Sequence, residues 1–355
     1  MAKVERLHGL DFLRGVAALG VLAYHYLYYG DVANISMFGT YGVYLFFCLS
    51  GFSLELVYGQ RSITSASLSE FFYARFFRIF PMYAAMVIFA LLTASAIDRL
   101  FLTRTLLNLT FLFGVNNPGY WSITPGGWSI GVEWFFYMLF PLFWAIRGLG
   151  FSVAALIITT ILNIQLTYLA YFTKSLPAES IWINAIQPVA FINYFLAGVF
   201  GCRLYRRAEW TIKNDAFITL LLAIFVVSLS VPIYLGISRT HLLTTSVWPL
   251  FYFALCAGLA YASAGYRSGS KALTKLSTFL GEISYSVYLI HLPLFFQLRG
   301  LIGDRVDNIV LILLCAILSI SLAKLLHDRI EMPLRRHGKA LVREKNHHAC
   351  ALADK

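Results

Sequence analysis

Apolar runs of about twenty residues, broken by short polar stretches, recur along the whole chain. A run of that length, wound as an α-helix, spans the hydrocarbon core of a bilayer. Ten windows fit: 9–29, 39–58, 79–98, 127–146, 151–172, 185–205, 215–236, 245–265, 280–298 and 306–327. The pattern predicts an all-α, polytopic integral membrane protein of about ten transmembrane helices. Residues 1–335 form one transmembrane domain with no room for a soluble module between spans, and no internal repeat marks duplicated halves. Residues 336–355 are polar and basic and read as a disordered cytoplasmic tail. Two connections are long. Residues 59–78 end in the basic aromatic run Phe71-Phe72-Tyr73-Ala74-Arg75-Phe76-Phe77-Arg78, and residues 99–126 hold the turn-rich Asn116-Asn117-Pro118-Gly119 and Thr124-Pro125-Gly126-Gly127.

The first window departs from a plain anchor. Arg14 and His25 lie eleven residues apart, which at ~100° per residue puts both on one helix face, ~16 Å apart along the axis. Asp11 adds a carboxylate one turn before Arg14. A basic side chain near the membrane centre costs roughly 2.5–3.5 kcal/mol and faces a protein interior or a wet cavity. The stripe therefore predicts a polar path partway through the membrane.

Composition agrees with this class. Hydrophobic residues make up 59% of the chain and charged residues 13%, with a mean hydropathy of +0.72; soluble domains are far more polar. The first window is too long and polar for a cleavable signal sequence. The five cysteines are scattered without metal-ligand spacing, so neither a disulfide nor a metal site is expected. With the N-terminus inside, twenty of the 28 lysines and arginines fall in inner segments and six in outer ones. The asymmetry predicts both termini in the cytoplasm; the expected location is a bacterial inner membrane. The net charge of +11 is then a topology signal, not a mark of nucleic-acid binding, although the basic tail suits contact with anionic membrane lipid.

Four further groups carry candidate chemistry. Arg75 and Arg78 share a helix face just before Pro81; paired guanidiniums are planar donor forks that match phosphate oxygens, though basic residues at a membrane edge also simply snorkel to headgroups. Ser129, Glu133 and Tyr137 are spaced by four at the outer end of the fourth window, where Glu133 is either a structural carboxylate or a partner for a catalytic base. Ser284, Tyr288 and His291 form a polar stripe in the ninth window, in which a lone histidine is more often a packing residue than a catalyst. The run His327-Asp328-Arg329-Ile330-Glu331-Met332-Pro333 reads as an interfacial salt-bridge cluster. His25 stands apart because an imidazole exchanges protons near neutral pH.

Set in order, these segments resemble the acyltransferase-3 family of integral membrane acyltransferases. Leu10-Asp11-Phe12-Leu13-Arg14-Gly15 with His25 is similar to its first-helix motif, and Phe46-Phe47-Cys48-Leu49-Ser50-Gly51-Phe52 to its second. Arg75-Phe76-Phe77-Arg78-Ile79-Phe80-Pro81-Met82-Tyr83 resembles its paired-arginine motif, and Trp128-Ser129 with Glu133, Phe136, Tyr137 and Pro141 the next. Ser284 through His291 and Glu331-Met332-Pro333 are similar to its closing region. The likeness covers residues 7–335 and makes 1–335 a transmembrane acyltransferase domain.

The resemblance implies that His25 is catalytic, that Arg14, Arg75 and Arg78 are functional, and that the donor is a cytoplasmic acyl-CoA, acetyl-CoA in the commonest case. It implies a carbohydrate or glycolipid acceptor, such as a surface or secreted polysaccharide or O-antigen, and no permanently bound cofactor. In that reading the three arginines hold the donor phosphates and His25 takes the acceptor's hydroxyl proton, with Glu133 orienting or charging the imidazole; direct transfer and an acyl-enzyme both fit. A proton-coupled transporter and a non-catalytic partner of a glycan export system are the competing readings.

Overall fold

The computed structural model describes residues 5–172, 186–237 and 247–353. Helices occupy all ten predicted windows. In chain order they are α1 (His8–Tyr29), α2 (Ser36–Tyr58) and α3 (Ser65–Leu92); then α4 (Arg99–Leu109) and α5 (Pro118–Trp121) in the long connection; and α6 (Trp128–Ala145) and α7 (Leu149–Phe172). They continue with α8 (Ile192–Ala208), α9 (Asp215–Tyr234), α10 (Val247–Ala264), α11 (Lys271–Ile302), α12 (Asn308–Leu326) and α13 (Met332–Ala353). Among the described residues the β-structure is one isolated bridge, Ile212 to Tyr266. Eight helical stretches there are long and apolar enough to cross a membrane. The two windows that fall short hold α1 and α6, the helices that carry Asp11, Arg14 and His25, and Ser129, Glu133 and Tyr137.

The structure corrects three boundaries. The third helix begins at Ser65, fourteen residues before the predicted window, so Arg75 and Arg78, expected on one helix face, lie well inside the same helix as the span. Its start is a capping box: Ser67 N–H donates to Thr64 Oγ1 at 3.1 Å and Thr64 N–H to Ser67 Oγ at 2.8 Å. α11 runs for 32 residues from a Ser270 cap, well beyond the window 280–298. The tail expected to be disordered from 336 is instead the helix α13, reached through a π-helical turn over His327–Glu331. It packs on α3: Val342 is buried, and a Cβ on Gly338 would fall within 2.5 Å of the Phe77 ring. The cluster before it is ion-paired as expected, with Glu331 held by His327 at 3.0 Å and Arg335 at 3.2 Å.

The core is inverted relative to that of a soluble protein. The most buried spans, α2 and the one containing α8, are the less hydrophobic, whereas α9 is among the most hydrophobic and largely faces outward. In lipid, helices gain nothing from hiding apolar surface from the bilayer, so association rests on close packing and polar contacts. Glycines permit that approach. A Cβ on Gly15 of α1 would meet Leu280 Cβ at 2.2 Å, and one on Gly281 of α11 would meet Asp11 at 2.6 Å. Gly51 of α2 and Gly198 of α8 are likewise pressed against the Phe195 and Cys48 carbonyl oxygens.

Candidate active site

The α1–α11 crossing sets the site. Both helices start at the end of the bundle where the arginines gather, so they run parallel and in step. Gly15 lies on Leu280, and eleven residues farther along each helix Tyr26 O–H donates to the His291 carbonyl at 2.9 Å. The same register brings His25 Nδ1 to 2.9 Å from His291 Nε2. His291 is fully buried, between Tyr26, Tyr288 and Phe295, and its own Nδ1 lies 3.1 Å from the Val287 carbonyl oxygen. The packing histidine of the sequence reading is therefore the direct partner of His25.

At the basic end lies a cavity of about 620 Å³, within the range of small-molecule sites. Its walls include Arg6, Arg14, Arg61, Arg75, Arg78, Arg335 and Lys339, against the carboxylates Glu5, Asp11 and Glu70. Asp11 is tied to Arg6 at 2.5 Å and to Arg14 at 3.5 Å. Arg14 also donates to the Leu49 carbonyl at 3.2 Å and to Ser53 Oγ, which fixes it across the α1–α2 crossing. Arg75 spreads over the rings of Tyr58 and Tyr137 at 5.9 and 5.8 Å, and among the described residues its buried Nε has no acceptor. A buried guanidinium N–H without an acceptor is costly, so this wall fits an anion.

Arg14 and Arg78 line this vestibule and also a second, far narrower cavity of about 50 Å³. The narrow cavity is walled by Phe46, Phe47, Ser50, Ser129, Glu133, Ser284, Tyr285 and Tyr288, among others. Glu133 accepts from Ser50 Oγ at 2.9 Å and from the Tyr137 hydroxyl. The Tyr288 and Ser129 hydroxyls lie 2.6 Å apart and 3.0 and 3.1 Å from the Gly126 carbonyl oxygen, so one donates to that carbonyl and the other to its neighbouring hydroxyl. Gly126 has φ +75°, a left-handed turn suited to glycine just ahead of α6. Ser284 bonds back to the Gly281 carbonyl at 2.9 Å. His291 lies one turn of α11 beyond Tyr288, so vestibule, narrow passage and histidine pair follow one another along the bundle.

Eight of the eleven candidates line the two cavities, Tyr137 bonds to Glu133 of the narrow one, and His25 and His291 pair one turn of α11 beyond Tyr288, but two pairings differ from the sequence reading. The hydrogen bonds of Glu133 go to Ser50 and Tyr137, and the ring that meets His25 is His291. Sequence reasoning did not single out Ser50, Ser53, Arg335 or Lys339. The last two were in plain view as a basic i, i+4 pair, the spacing of one helix face, but the pair straddles the boundary at which the tail was read as disordered.

A family model described as an acyltransferase domain matches residues 7–327. The match covers nearly the whole membrane region, so the chain belongs to the acyltransferase-3 family and is a membrane acyltransferase. The chain is also similar to a protein of Acidianus two-tailed virus that bears the name "Putative acetyltransferase ORF330". The two are 27% identical over 297 residues, 82% of this chain and 84% of the viral protein. No solved structure matches.

Proposed function

We propose that this chain, a member of the acyltransferase-3 family, carries an acyl group from acyl-CoA, entering at the basic end, to a hydroxyl of a carbohydrate or glycolipid acceptor. The observation that carries the reading is the join between the two cavities. A wide, arginine-lined vestibule narrows at Arg14 and Arg78 into an aromatic passage that leads toward the histidine pair. Coenzyme A has that shape: a bulky head bearing phosphates, then a slim arm ending in the thioester. Arg14, Arg75 and Arg78 take the phosphates, with Arg335 and Lys339 adding positive field. His25 is the general base. As the acceptor oxygen bonds to the thioester carbonyl carbon, His25 takes its proton; the carbon–sulfur bond breaks and the thiolate leaves with that proton.

Glu133, beside Ser50 and Tyr137, balances the charge of the two arginines that guard the passage. The narrowness of that passage suits a short acyl group, acetyl above all, and the viral relative's name agrees. The excess of lysine and arginine at the vestibule end supports a cytoplasmic donor side with both termini inside, in a bacterial inner membrane. The test is acyl transfer by the purified protein in lipid nanodiscs, with radiolabelled acetyl-CoA and glycan fractions as acceptors. Label on the glycan with the wild type and none with His25→Ala is expected. Undiminished transfer by His25→Ala removes the base, and a rate independent of acyl-CoA removes the donor.

A further inference from the structure

We infer that His291 is a positioning residue that fixes the tautomer of His25, so that His25 presents an unprotonated Nε2 to the acceptor hydroxyl. The inference rests on the base role of His25 given above.

The chain of atoms has one consistent protonation. A carbonyl oxygen can only accept, so the 3.1 Å contact between His291 Nδ1 and the Val287 carbonyl puts a proton on Nδ1. The His291 ring is fully buried, and among the described residues its hydrogen bonds go to the backbone of Val287 and Tyr288 and to His25, with no carboxylate. Burying a second, charging proton there without a counter-ion is strongly disfavoured. His291 Nε2 is therefore a lone-pair acceptor. The 2.9 Å contact between the rings then requires that His25 Nδ1 carry the proton and donate it. A neutral His25 so arranged has its lone pair on Nε2.

This sequence, carbonyl to imidazole to imidazole, orients the base as a buried carboxylate does in a hydrolase triad, but with neutral groups. When His25 takes the acceptor proton, the imidazolium still donates through Nδ1 to His291, whose polarisation toward Val287 steadies the charge. The proton then passes to the departing thiolate, and His25 returns to its starting tautomer. Neighbouring contacts hold the geometry: Tyr26 bonds to the His291 carbonyl and, at 2.6 Å, to Ser319 of α12, so three helices fix one ring.

The test compares His291→Leu with His291→Gln in full-length protein, because a glutamine side-chain oxygen can replace Nε2 as the acceptor. His291→Leu is expected to lower kcat by about 10²–10⁴-fold, the span of a lost general base, with KM for acetyl-CoA little changed. His291→Gln is expected to recover at least tenfold of that loss. In ¹⁵N-histidine-labelled wild type, Nε2 of His25 is expected to resonate as an unprotonated ring nitrogen and Nδ1 as a protonated one, a readout that needs no turnover. Wild-type kcat in His291→Leu, a well-folded His291→Gln as slow as His291→Leu, or a protonated Nε2 on His25 each overturns the inference. Full activity in His25→Ala instead overturns the base role beneath it, whatever the tautomer.

Discussion

The two ends of the polar path are built on opposite principles. The vestibule collects charge: seven cationic side chains and three carboxylates around a wide space, several of them held by ion pairs or aromatic faces. The far end holds rings and hydroxyls placed by short bonds to named neighbours: His25 to His291, Tyr288 to Ser129, Tyr26 to Ser319. Charge acts over distance and tolerates small displacement, whereas a proton transfer needs one atom within hydrogen-bond reach. Substitutions at the first end should therefore change donor affinity, and those at the second should change turnover.

The largest effect is expected at His25, the proposed base. His25→Ala should lower kcat by about 10²–10⁴-fold with little change in the KM for acetyl-CoA; a steady-state assay with varied donor separates the two constants. A change confined to KM would place His25 with the donor and erase the contrast. Next comes the register. Gly15→Val puts carbon where Leu280 stands 2.2 Å from the Cβ position, which forces α1 and α11 apart well below the histidines. A misplacement of about 1 Å at reacting groups can cost on the order of 100-fold, so kcat should fall by that order, together with the thermal midpoint. Retained kcat would mean that the pair is not set by this crossing.

Arg78→Gln probes the other end. It lines both cavities, so it should weaken donor binding by about 10–100-fold, the range for a lost charged hydrogen bond of roughly 1.5–3 kcal/mol, while kcat at saturating donor stays within a few-fold. Titration of acetyl-CoA onto the purified protein reads this directly. A loss of kcat at unchanged affinity would move Arg78 from holding the donor to acting on the reaction.

Much of this plan was legible in the residues, for reasons that differ by feature. Hydropathy located the ten helices because a membrane span must be apolar over a fixed length, and the interruptions at Arg14, His25 and Glu133 stood out against that background. The start of α3 was missed because residues 65–78 are amphipathic and extend the helix past the apolar window, under a capping box whose second member is Ser67 and not the usual Glu or Gln. The tail was misread because its polar composition hides a helix that packs on α3 through Gly338, with Val342 buried and the His337 ring against Phe77. The partner of His25 lies 266 residues away, and no local spacing encodes such a contact. It is written instead in Gly15 and Gly281, whose meaning appears only once the two helices are set side by side.

The finest test of the contrast is Lys339→Gln. Lys339 is exposed on α13 and lines the vestibule beside Gly338. An exposed charge acts through the summed field of the cavity, and salt screens that field within ~8 Å at physiological ionic strength. The substitution should raise the KM for acetyl-CoA only roughly two- to threefold at low salt, and the difference should vanish near 1 M salt, where screening falls to ~3 Å. Arg78→Gln, half-buried at the neck where the two cavities meet, should keep most of its defect across the same range. If both variants lose their defects alike as salt rises, the neck is no more enclosed than the rim, and the vestibule works as one solvated patch. If Lys339→Gln keeps its defect at high salt, the α13 lysine makes a direct contact with the donor, and the helix the sequence reading left disordered forms part of the binding site itself.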